Sequence, residues 1–218
     1  MTTEIDVKIV EARVEHVPFI AWVMLAAARS HLPVGMWDLF RGGTEEETLR
    51  FLEALATTGE SHWAHYSLFL VAEVGGRPAS ALAGYLDAEN GTHTLIPAVQ
   101  QANAAVGRSD DDLAAGWIRA ASIANVSPEH EPSNWIVEHV ATAAEFRRQG
   151  LVNRLLAAVL ERGRTRGATV ADVGVLIGND RAQRAYEKAG FRVIDELLDP
   201  EFEAAYQCPG VRGLRQAI

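Results

Sequence analysis

Residues 135–191 read WIVEHVATAAEFRRQGLVNRLLAAVLERGRTRGATVADVGVLIGNDRAQRAYEKAGF, and this stretch decides the fold. It opens on an apolar segment that ends near Thr142, followed by a short polar turn, Ala143 to Phe146. Arg147-Arg148-Gln149-Gly150 then leads into Leu151, Val152, Leu155, Leu156, Val159 and Leu160. Those six recur at helical spacing, with Arg154, Glu161 and Arg162 off the stripe. Gly163 and Gly167 are expected to end the helix, and Thr169 to Ile177 reads as a buried strand.

Strand, glycine-bearing turn, helix, strand is a unit suited to holding phosphates. The first amides of a helix lack intrahelical partners, and the helix dipole makes that end electropositive. A glycine there admits an anion to the backbone, and neighbouring arginines add charge. The turn is neither a Walker loop, lacking Gly-Lys-Ser/Thr, nor a dinucleotide fingerprint, having one glycine where three are needed. By itself the pattern is a weak pyrophosphate signal, and solvated arginines at a helix start read equally well.

As a whole, the stretch resembles the core of the GNAT superfamily of acetyl-CoA-dependent N-acetyltransferases. The strand end is Val140-Ala141-Thr142, and Arg147-Arg148-Gln149-Gly150-Leu151-Val152 matches the family's R/Q-x-x-G-x-G/A signature. Val152 departs from it, standing where the family has Gly or Ala. Nearer the C-terminus, Asn179, Ala182 and Tyr186-Glu187-Lys188-Ala189-Gly190-Phe191 match the family's Asn, Ala and Tyr-x-x-x-Gly-Phe in order.

The resemblance implies a single α/β domain over residues 1–218, with a mostly antiparallel mixed sheet flanked by helices. It places a cofactor-binding core at about 134–192 and a helical insertion at about 88–133, between the third and fourth strands. It implies acetyl-CoA as acyl donor, no metal, and an amine acceptor attacked directly in a ternary complex. Strands four and five would splay to admit the pantetheine arm, with Val140, Ala141 and Thr142 lining it. Backbone amides from Arg148 through Gln149, Gly150, Leu151 and Val152 to Asn153 would hold the pyrophosphate, with charge from Arg147 and Arg148. Asn179 and Ala182 would contact the cofactor, and the Tyr186 hydroxyl would protonate the leaving thiolate. A non-catalytic acyl-CoA sensor on the same fold is the alternative.

The general base is read from the strand itself. Glu138 and His139 are polar residues in an otherwise apolar segment, and strand alternation puts them on opposite faces. Glu138 shares a face with Val140 and Thr142 unless a bulge intervenes, which makes it the preferred base. His139 or a water-mediated route stays open beside it.

The rest of the chain bounds the answer. With 218 residues and 48% hydrophobic content, one well-buried core is expected. A net charge of −9 argues against a nucleic-acid surface. Cys208, the only cysteine, excludes an internal disulfide and suits a cytoplasmic setting. No apolar run reaches membrane-spanning length, and Met1 to Val10 reads as neither signal nor transit peptide.

In order along the chain, Ile5 to Val10 reads as a strand, and a helix follows with Pro18 in its first turn and Ile20, Val23, Met24 and Ala27 on one side. Leu32 to Phe40 reads as a broken apolar loop over the core or beside a pocket. Thr44-x-x-Glu47 is a capping box opening a helix that stops at Gly59. Tyr66 to Val74 and Ala79 to Asp87 form a hairpin about Gly75-Gly76. His62-x-x-His65 lacks a third ligand and is placed on a surface turn. Helices are expected over about 95–106 and 111–124, the second with Leu113, Trp117 and Ile118 on its stripe. That insertion is a candidate lid, substrate-recognition element or homodimer contact, and it leans the acceptor toward a small molecule. Arg192 to Leu197 reads as a strand and Pro200 to Tyr206 as a helix; the tail from Val211 is open between strand and helix.

Overall fold

A computed structural model of the chain describes residues 6–218. Apolar alternation and the Gly75-Gly76 turn, both residues at positive φ, produce the first antiparallel strands: β1 (Val7–Glu11), β2 (Phe69–Val74) and β3 (Arg77–Leu86). The expected first strand thus begins at Val7; Ile5 lies outside the described residues. Four further strands, β4 (Trp135–Thr142), β5 (Val170–Leu176), β6 (Arg192–Leu198) and β7 (Gly210–Ala217), complete one sheet in the order β1-β2-β3-β4-β5-β7-β6. The tail left open by sequence is therefore a strand, inserted between β5 and β6. Every pairing is antiparallel except β4 with β5.

One face of the sheet carries α1 (Val17–Arg29), α2 (Met36–Arg41) and α3 (Glu45–Ala56). The α3 start is the expected capping box: the Thr44 side chain accepts from the Glu47 amide, and the Glu47 carboxylate accepts from the Thr44 amide at 2.8 Å. The segment read as a loop over 32–40 contains α2. Asp38 makes that helix, closing its first turn onto the Gly35 amide at 2.8 Å and gripping Arg29 at 2.7 and 2.9 Å.

Between β3 and β4 come α4 (Asp87–Asn90), α5 (Thr92–Ala105) and α6 (Asp110–Ala120), then a 3-10 turn, Ala121–Val126. Leu95, Ala98, Val99, Ala102 and Leu113 bury themselves against α2 and α3. Trp117 and Ile118 do not join Leu113 in the core. Gly116 fits its Cα against the Phe40 carbonyl, so α6 rotates those two side chains outward, Ile118 to 77% exposure.

The opposite face carries α7 (Leu151–Thr165) and α8 (Asp180–Ala189), and the α7 apolar stripe of Leu151, Leu155, Leu156, Val159 and Leu160 packs on Leu82, Val137 and Val173. Gly163 does not end α7, which continues to Thr165. A Cβ at Gly163 would meet Trp135 Cγ at 2.8 Å, so this glycine permits helix and strand to touch. The last helix, α9 (Pro200–Tyr206), packs Phe202 and Tyr206 with Val126 and Cys208.

Candidate active site

The parallel ladder between β4 and β5 has three residue pairs, Trp135 with Ala171, Ile136 with Asp172 and Val137 with Val173. Beyond Val137 the two strands have no shared ladder, although β4 runs on to Thr142 and β5 to Leu176. The β5-facing edge of residues 138–142 is thus a row of backbone groups with no strand opposite, a template for an extended ligand. Val140, Ala141 and Thr142 are all half-buried along it. On the other side β3 holds this segment firmly: Ser80 Oγ donates to the Ala141 carbonyl at 2.9 Å and lies 2.7 Å from Thr142 Oγ1.

A bulge sits in the middle of this edge. Ala83 pairs with Glu138 and Ala81 with Ala141, so one β3 residue faces two residues of β4. His139 takes the strain with φ +56°. The expected opposition of Glu138 and His139 is overturned, because the extra residue resets the alternation. Both now point to the α1 side: His139 stacks between Trp63 and Phe69, at 5.1 and 5.7 Å between ring centres, and Glu138 lies diagonally across from Tyr85. Val140 packs toward α7, so Glu138 shares no face with it.

Glu138 Oε2 and His139 Nε2 are 4.0 Å apart, both buried and both without a hydrogen-bond partner among the described residues. Burial pushes the Glu138 carboxyl up to about 7, opposed by the Tyr85 hydroxyl and by His130. His139 is driven down to about 3, chiefly by burial and then by nearby His62, so its ring is neutral at pH 7. His62 is not on a surface turn. It is fully buried, within hydrogen-bond distance of the Leu55 carbonyl and Thr58 Oγ1, and it accepts from the Ala64 amide. No group of three potential metal ligands occurs among the described residues.

Tyr186 on α8 belongs to the α7-side core, buried with its ring edge-on to Phe191. Burial and the Glu138 charge raise its hydroxyl far above the usual range, so it stays protonated. Asn179 caps α8 by accepting the Ala182 amide at 3.1 Å and reaches Ser30 Oγ at 2.5 Å. The Ser30 contact ties the start of α8 to the end of α1.

The turn leading into α7 has the anion-binding form. Arg148 and Gly150 adopt left-handed backbone, φ +64° and +75°, curling successive amides inward. Among the described residues, the amides of Arg148, Gln149, Gly150, Leu151, Val152 and Asn153 have no protein acceptor; the next, Arg154, returns to the Gly150 carbonyl at 3.2 Å. Six free amides at a helix start, with Arg147 and Arg148 exposed beside them, fit a pyrophosphate. Val152 packs its side chain toward the core under α7.

Sequence reasoning missed Tyr85, Trp63, Phe69, His130 and Asp172. Only Tyr85 carried a signal, being the one large side chain with a polar group in the apolar run Ala79 to Leu86. A cavity of about 150 Å³ beside Trp135, Gly84 and Arg162 lies at the start of β4, away from this site.

The chain matches the acetyltransferase (GNAT) family over residues 35–191. It belongs to that family, and the enzyme class is acyltransferase. An acetyltransferase crystal structure superposes with a TM-score of 0.70 at 19% identity, covering 97% of this chain and 99% of the other. The N-acetyltransferase from Staphylococcus aureus Mu50 gives 0.70 at 18% identity, covering 96% and 100%. An aminoglycoside acetyltransferase solved with coenzyme A gives 0.53 at 15% identity, covering 97% and 95%. No curated protein matches in sequence. Among the described residues no helix is long and apolar enough to cross a membrane.

Proposed function

We propose that the protein transfers the acetyl group of acetyl-CoA to the amine of a small molecule, releasing CoA and the N-acetyl product. The observation that carries this reading is the unpaired edge of β4 beyond Val137, flanked by six free amides at the start of α7. The free amides hold the pyrophosphate, and residues 140–142 pair with the pantetheine arm as a missing strand would.

Glu138 removes the proton from the acceptor ammonium, a task matched by a carboxyl poised near 7. An amide of the bulged segment near Val140 polarises the thioester carbonyl. Tyr186, protonated at all relevant pH values, donates to the departing sulfur. The role of His139 is to wall the acceptor side with Trp63 and Phe69 as a neutral ring. A small acceptor is favoured because α5 and α6 roof α2 and α3 on the face to which Glu138 points. One structural neighbour, the aminoglycoside acetyltransferase, was solved with coenzyme A and kanamycin.

Calorimetric titration with acetyl-CoA and then free CoA, followed by an amine screen for thiol release, tests the reading. Micromolar binding with amine-dependent thiol release supports it. Binding without turnover of any amine would make the protein a sensor of acyl-CoA.

A further inference from the structure

Beyond Val173, β5 runs to Leu176 with no pairing to β4, and the turn that follows it carries Gly178 and Asn179. Two residues just past the end of α1 meet that turn. Asn179 Oδ1 accepts the Ala182 amide at 3.1 Å, so the group left to face Ser30 is Nδ2, which donates to Ser30 Oγ at 2.5 Å. Ser30 Oγ is itself 3.3 Å from His31 Nδ1. The His31 ring lies over Gly178, where a Cβ would meet its Nε2 at 2.9 Å. Ser30 and His31 are thus seated on Gly178 and Asn179.

Ser30 stands where the backbone favours glycine. It follows α1 with φ +58° and ψ −110°, and the Leu32 amide donates to the Arg29 carbonyl at 2.8 Å, so Ser30 has the first-position geometry of a type II′ turn. A side chain in that conformation is strained, and such strain persists only where other contacts hold it. What serine adds over glycine here is the hydroxyl that Asn179 reaches. Because α1 packs on β4, this bridge runs from the β4 side of the sheet to the end of β5, where no ladder joins the two strands.

The geometry points to Ser30 as a positioning residue for the acetyl-CoA gap. Its hydroxyl, through Asn179, fixes the end of β5 and the start of α8 relative to α1, and so sets how far β4 and β5 part. The inference rests on the acetyl-transfer reading. Tyr186 lies about two helical turns after Asn179 on α8, so the same bridge holds the helix that carries the proposed acid. Ser30 exchanges no proton with substrate or cofactor; it acts on the gap alone.

Ser30→Gly and Ser30→Ala both remove the hydroxyl and differ only in the backbone, because glycine relieves φ +58° and alanine keeps the strain. The melting temperature of Ser30→Gly should therefore lie above that of Ser30→Ala. Calorimetry should nevertheless give both variants the same loss of acetyl-CoA affinity, about 2- to 10-fold against the natural protein. A purely structural role would make affinity follow stability and leave Ser30→Gly close to natural. Natural affinity in Ser30→Gly would overturn the inference, and that variant decides alone if Ser30→Ala fails to fold. Amide exchange followed by nuclear magnetic resonance reads the bridge without any ligand. The Ala182 and Gln183 amides, which donate to Asn179, should exchange about 2- to 10-fold faster in both variants. Unchanged exchange would remove the bridge and the inference with it. If the natural protein binds no acetyl-CoA, the acetyl-transfer reading fails and takes the positioning role with it; if the natural protein and both variants bind equally, the positioning role fails alone.

Discussion

Replacing Glu138 by Gln should change the protein's stability in a way that depends on pH, and this can be measured without knowing the acceptor. The carboxyl sits at about 7 in the folded chain against an ordinary 4.5. Because the folded state holds the proton more tightly, its stabilising contribution is full below about 4.5. It is lost as pH rises through 7, where ionising the buried group costs most. A gap of about 2.5 pH units corresponds to roughly 3.4 kcal/mol. With 36% of the side chain exposed, solvent screening takes away about half, leaving about 2 kcal/mol. Glutamine has the same shape without the charge. The difference in unfolding free energy between Glu138→Gln and the natural protein should therefore grow by about 2 kcal/mol in favour of the variant from pH 4.5 to pH 8. Urea denaturation at pH 4.5, 5.5, 6.5 and 8 reads it directly. A difference constant across that range would refute both the raised carboxyl and the reasoning that makes it a base at neutral pH. The same variant, more stable at pH 8, should lose about 10²- to 10⁴-fold in turnover, the exchange of stability for function expected of a tuned catalytic group.

Tyr186→Phe should lower thiol release about 10- to 1000-fold while acetyl-CoA affinity holds, and an unaltered rate would remove its hydroxyl from the chemistry. Gly150→Ala meets nothing within 4 Å, so its cost is that of forcing φ +75° on an alanine, about 1–2 kcal/mol, seen as a lowered melting temperature. Gly163→Leu, by contrast, drives a side chain into Trp135 and should cost at least about 3 kcal/mol in urea unfolding, against a gain in helix propensity below about 1.

What the sequence made legible was local. The α7 stripe, the Thr44 capping box, the Gly75-Gly76 hairpin and the Asn179 cap each arise from residues within a few positions of one another. The bulge at His139 was not legible, because a histidine at positive φ leaves no mark in the chain and the register is dictated by pairing with Ala81 and Ala83 of β3. Nor was α2, whose start depends on Asp38 reaching back to Gly35 and across to Arg29. His62 looked like surface because two histidines three apart are polar. Its burial is stabilised by backbone groups of Leu55 and Ala64 that sequence does not place beside it. The His130–Asp172 pair joins residues 42 positions apart, and neither carries a motif.

The segment joining β3 to β4 has a mechanical consequence. Among the described residues, three parallel pairs are the whole ladder between the strands β1–β4 and β5–β7, so the sheet is weakest where the site needs it open. The same segment seats α5 and α6 on α2 and α3, rests residues 121–126 against α9 and β6, and pins His130 and Asn134 to Asp172. It therefore works as a tie-bar across a seam, letting the strands part at one end without the halves coming adrift. Amide exchange should accordingly report one cooperative unit spanning both sides of the seam, and severing the tie at Asp172 should let the half bearing β5–β7 exchange ahead of the rest.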